Sequence, residues 1–143
     1  MKEQLIQAWR TANSMNLLLL QHLTPEGLQA GLLPRGRNVA QQLAHLNTVR
    51  LQWLNPGSKP AAPPADDVAT LQAAFETSSR AIEQLIEESW EQGGRVRGFK
   101  SGLIPFIAYL TAHEAHHRGN ILLTLKLSGL RLPDELKWGL WKW

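Results

Sequence analysis

Four long stretches of this chain place apolar residues at the three- and four-residue spacing of a helix. In the first, residues 2–23, Leu5, Ala8, Trp9, Ala12, Asn16, Leu19, Leu20 and Leu23 share one face. Thr24-Pro25-Glu26 stops that helix and supplies a cap and a first-position proline for a short helical turn. Gly31 and the run Pro34-Arg35-Gly36-Arg37 mark a loop. Asn38 suits the cap of a second long helix, Val39 to about Leu54, with Val39, Leu43, Leu46, Trp53 and Leu54 on its apolar face. Asp66 and Asp67 open a third, where negative charge complements the positive helix end. Its face carries Val68, Leu71, Phe75, Ile82, Leu85 and Ile86, with Ser78, Ser79 and Ser89 among them, and Gly93-Gly94 ends it. After the basic loop Arg95 to Lys100, a fourth helix runs from about Leu103 to Ser128, and Gly129 stops it.

The link between the second and third helices, Asn55 to Ala65, holds four prolines and is stiff and extended. The pattern predicts an all-α fold: a four-helix bundle with a long crossover link between helices 2 and 3. One domain is expected over residues 1–143, with 131–143 as a tryptophan-rich tail.

The fourth helix is apolar almost all round. Phe106, Leu110, His113, His117, Asn120, Thr124 and Leu127 form its expected inward face. A second face carries Ala108, Ala115, Gly119, Leu122 and Leu125, leaving Thr111, Glu114, Arg118 and Lys126 as the solvated sector. A helix buried on two sides implies a partner chain, so a homodimer is expected.

Composition narrows the classes. A length of 143 residues with 43% hydrophobic residues suits one globular domain and excludes a disordered chain. No apolar run reaches the roughly 18 residues of a bilayer span, and the start lacks the features of a signal peptide. A cytoplasmic location is the default expectation. The net charge of +3 comes from scattered basic residues, so no nucleic-acid partner is expected. Three of six tryptophans fall in the last six residues, interleaved with Lys137 and Lys142. That segment is short and weakly basic for a membrane anchor. It is expected to fold back as a lid over the bundle or its interface, with no stable membrane association.

With no cysteine, any metal site must use His, Asp or Glu. Three of the five histidines lie in Thr111-Ala112-His113-Glu114-Ala115-His116-His117-Arg118-Gly119-Asn120. His113 and His117, four residues apart, stack one turn above the other on one helix face, while His116 lies to one side. Two neutral imidazoles on an apolar face each need a hydrogen-bond partner or a metal. The second helix carries His45 at the flank of its apolar face, able to complete a three-histidine set with an open coordination position. Two polar residues interrupt other apolar faces. Asn16 is either a core asparagine bonded to backbone or water, or part of a polar pocket. Arg50 either snorkels or pairs with a carboxylate, or presents a cation to a ligand.

At these residues the chain resembles the DinB/YfiT-like superfamily. The resemblance rests on Val39-Ala40-Gln41-Gln42-Leu43-Ala44-His45-Leu46-Asn47 with Arg50 and Trp53, and on His113-Glu114-Ala115-His116-His117-Arg118-Gly119-Asn120. It implies a four-helix bundle, often homodimeric, with a three-histidine site for a divalent metal such as zinc or nickel. The family's second-helix ligand matches His45, and the two ends of its HxxxHRG element match His113 and His117. His116 matches no ligand. The glutamine usual after the HRG glycine is Asn120 here. Characterised relatives include thiol-dependent S-transferases and isomerases using bacillithiol, mycothiol or glutathione.

The resulting expectation is a metal-dependent enzyme for a small-molecule substrate, of hydrolase or thiol S-transferase type. It would activate water or a low-molecular-weight thiol co-substrate at His45, His113 and His117. Asn16, Arg50 and Asn120 are the candidate pocket-lining residues. The alternative is a non-catalytic dimeric metal-binding bundle acting as a stress-response sensor or store.

Overall fold

Side-chain caps set the starts of three of the helices. The computed structural model describes residues 1–143 and has six helices. These are α1 (Lys2–Gln21), α2 (Pro25–Gln29), α3 (Val39–Leu54), α4 (Val68–Glu91), α5 (Leu103–Leu127) and α6 (Asp134–Gly139). Asn38 caps α3 in a full capping box: its side chain accepts from the Gln41 N–H, and Gln41 Oε1 accepts from the Asn38 N–H. Thr24 Oγ1 and Asp67 Oδ1 cap α2 and α4 by accepting from the Gly27 and Thr70 N–H groups. Gly94 closes α4 with a positive φ of 77°, and its N–H donates to Ser89 O at 2.8 Å. A left-handed residue is needed there, and glycine adopts it without a Cβ penalty.

The long helices form a closed ring, with α1 against α4, α4 against α3, α3 against α5, and α5 back against α1. Each therefore buries one stripe towards a common axis. The connection from α3 to α4 is the extended, proline-rich crossover expected from its composition.

The apolar core lies in two blocks. One gathers Leu19, Leu20, Leu43, Leu46, Leu71, Phe75, Ile121 and Leu125. The other gathers Ile6, Trp9, Val49, Ile82, Ile86, Phe106 and Leu110. On α1, α4 and α5 the residues between the two blocks include the buried polar groups Asn16, Ser78, Glu114 and Arg118, and α3 adds Arg50. A polar layer thus crosses the bundle between two apolar halves, and His113 and His117 lie at the same level of α5.

The tail forms α6, which packs on α1 and seats Leu136 in the first block. Trp138, Trp141 and Trp143 remain 65%, 74% and 76% exposed. The fold-back is made by leucines, with Leu136 buried and Leu132 and Leu140 packed partly buried against the same block, and the tryptophans do not cover the bundle. No helix is long and apolar enough to cross a membrane.

Candidate metal centre

α5 presents His113 and His117 one turn apart, and α3 brings His45 opposite them. One ring nitrogen from each lies within 4.8 Å of the others. The ring centroids are 5.4 Å apart for His45 and His113, 5.0 Å for His45 and His117, and 4.9 Å for His113 and His117. Tyr109, one turn earlier on α5, stacks on His113 at 6.3 Å. All three histidines are partly buried.

Burial lowers the pKa of each imidazole. For His117, burial and the neighbouring His113 and His45 pull it to about 4. The positive charge of Arg37 acts in the same direction on all three. The rings are therefore neutral near pH 7, the form that donates a lone pair to a metal. His117 Nδ1–H donates to Gln42 Oε1 at 3.3 Å, because an amide oxygen can only accept. That tautomer leaves the Nε2 lone pair free, and a hydrogen bond of this kind is what orients a ligating histidine. His113 Nδ1 is buried and has no hydrogen-bond partner. A nitrogen-only donor set with an orphaned buried nitrogen fits a borderline divalent ion such as zinc or nickel.

A family model described as the DinB family matches residues 1–134. The chain belongs to the DinB family. Its fold is also that of a DinB-like protein from Bacillus cereus whose crystal structure is known, with a TM-score of 0.72. The two chains are 21% identical over 92% of this one and 95% of the other. Among curated proteins nothing matches.

The remaining expected residues of this DinB-family chain separate into two groups. Asn120 is exposed beside the centre, where it borders a hollow with His117, and its Nδ2 donates to His116 Nε2 at 3.1 Å. His116 itself is exposed and outside the three-histidine group. Asn16 and Arg50, by contrast, are both 0% exposed. Lining a pocket requires surface that neither presents.

Arg50 of α3 touches each of the other three long helices. Its Nε and Nη2 donate to the two oxygens of Glu114 at 2.6 and 3.0 Å. Its Nη1 donates to Phe75 O and Ser78 Oγ, and the guanidinium lies 4.7 Å from the ring centroids of both Trp9 and Phe75. Asn16 Nδ2 donates to Glu114 Oε2 at 2.7 Å, and Asn16 Oδ1 accepts from Arg118 Nη1 at 2.8 Å. Arg50 thus takes the carboxylate-paired alternative, and Asn16 bonds to side chains rather than to backbone or water.

This network overturns the expected solvated sector of the fourth helix. Glu114 is 0% and Arg118 8% exposed, so both face inward. The buried arc of α5 runs through Leu103, Leu110, Glu114, Arg118 and Ile121, and Asn120 and Leu127 lie outside it. His113 and His117 consequently sit at the edge of the inward face, within reach of the surface. Leu125, expected on the second face, is core. The cause is Arg50: its guanidinium supplies the charge that makes burial of Glu114 tolerable. Glu114, Arg118, Gln42 and Arg37 were not assigned a role from the sequence. The available signal was an arginine and an asparagine on two apolar faces, which together require a buried acceptor.

Proposed function

We propose that this DinB-family chain is a divalent-metal-dependent enzyme whose ion is held by His45, His113 and His117. The observation that carries this reading is the convergence of three neutral imidazoles, one with an unpartnered buried nitrogen, beside open hollows. Zinc or nickel suits the donors. Such an ion supplies Lewis-acid activation of water or of a thiol at neutral pH. The chain's part is to keep the imidazoles neutral, orient His117 through Gln42, and leave one side of the centre accessible to a small molecule. A hydrolase or a thiol S-transferase follows from that arrangement, with a low-molecular-weight thiol as co-substrate in the second case, in a cytoplasmic setting.

The outer face of α5 supports a homodimer. Ile104, Ala108, Tyr109, Ala112, Ala115, Leu123 and Leu127 are all exposed along it.

Elemental analysis of the purified protein, with melting curves before and after adding zinc or nickel, tests the metal reading. About one ion per chain and a raised melting temperature are expected. The absence of both uptake and shift contradicts it. Turnover of a chromogenic ester or of a thiol with a small electrophile should require the ion and vanish in His113→Ala. Binding without turnover or exchange of an added ligand favours a non-catalytic metal-binding bundle.

A further inference from the structure

The entrance to the centre carries a charge that the metal reading does not use. Arg37 sits on the loop that precedes α3 and is exposed. It borders two hollows at once. One, of about 700 Å³, lies beside His45 and is also walled by Arg35, Gln41, Thr48 and Pro63. The other, of about 300 Å³, lies beside His117 and is also walled by Gln42 and Asn120. Neither hollow has an aspartate or glutamate in its wall.

The two guanidiniums are uncommitted. The chain's ion pairs use Lys2, Arg10, Arg50, Arg131 and the amino terminus, and none engages Arg35 or Arg37. The first turn of α3, which starts just after Arg37, contains no acidic side chain to offset its positive end. An arginine presents a planar fork that matches a carboxylate in two parallel hydrogen bonds. Two such groups at the mouth of a centre, with no acidic side chain in either wall, make a field that attracts anions.

We propose that Arg37, with Arg35 beside it, forms an anion-recognition subsite at the mouth of the three-histidine centre. The molecule that reaches the centre then carries a carboxylate set apart from its reacting atom. This names a substrate class for the proposed function and rests on that reading. A carboxylate held by Arg37 leaves the rest of a small molecule free to extend past His45 or His117. Arg37 is a binding and specificity residue in this account, and it takes no part in holding the ion.

Cobalt-loaded protein titrated with 3-mercaptopropionate and with 2-mercaptoethanol, followed by cobalt absorption, separates the two ideas. The carboxylate-bearing thiol should bind about tenfold more tightly than the neutral one. Arg37→Ala should bring the two to near parity in a chain that still takes up cobalt, and Arg37→Lys should retain part of the preference. Equal binding in the unaltered protein, or a preference that survives in the Arg35→Ala/Arg37→Ala double variant, overturns the proposal. A chain that takes up no cobalt refutes the metal reading instead. The subsite is then decided by titrating succinate while following the Arg37 Nε–H resonance. A saturable shift there, with no saturable shift elsewhere in Arg37→Ala, supports the subsite, and no saturable shift overturns it.

Discussion

At the scale of single residues, the centre depends on three neutral rings and what keeps them so. Gln42→Ala removes the acceptor that orients His117, and metal affinity should fall roughly 10- to 100-fold by competition titration. His116→Ala should leave it unchanged. Protonation gives a second handle. His117 titrates at about 4 in the folded chain against an ordinary 6.5. Between those values the unfolded chain holds more protons, so stability rises with pH across the window and is lost on acidification through it. Melting curves of metal-free protein should therefore fall from about pH 6.5 to about pH 4, and His117→Ala should flatten that slope. The His113–His117 pair was legible in the sequence because i, i+4 residues share one helix face, and His45 came from its flank position and the family resemblance. Glu114 and Arg118 were not, because a charged side chain is placed in water by default. Only a partner from another helix, Arg50, reverses that default.

At the scale of elements, the buried Arg50–Glu114 pair fixes α3 against α5, the two helices that carry the histidines. A one-turn slip would break its two hydrogen bonds and separate His45 from His113 and His117. Removing one partner leaves an uncompensated buried charge. Arg50→Met should cost about 3–5 kcal/mol in urea unfolding, while replacing Arg50 and Glu114 together by apolar residues should cost much less. If the double replacement also loosens metal binding although stability is restored, the pair sets helix register as well as stability. Helix boundaries were largely readable, since Asn38, Thr24, Asp67 and Gly94 act locally. The face of α5 was not, because its apolar residues surround the whole helix and give no clear arc. Long-range pairing decided which side turned inward.

At the scale of the molecule, the ring of four helices leaves one wall of α5 exposed and apolar. Leu123→Glu should convert a dimer to a monomer in light scattering after gel filtration, with helix content unchanged. A wild-type chain that is monomeric at tens of micromolar removes the dimer from the account. The all-α bundle and its crossover link followed from helical periodicity and proline content, both properties of neighbouring residues. The polar layer between two apolar blocks did not, because it is assembled from residues on four separate helices. That layer and the histidines lie at one level of the bundle, so the fold's internal fixing point and its candidate chemistry occupy the same cross-section.

X-ray absorption at the zinc edge of the zinc-loaded protein tests the central claim most directly. The account predicts one ion per chain with three imidazole nitrogens at about 2.0–2.1 Å and a light, exchangeable fourth ligand. His45→Ala should lose one imidazole from that shell. No histidine scattering around the ion, or an unchanged shell in His45→Ala, would contradict it.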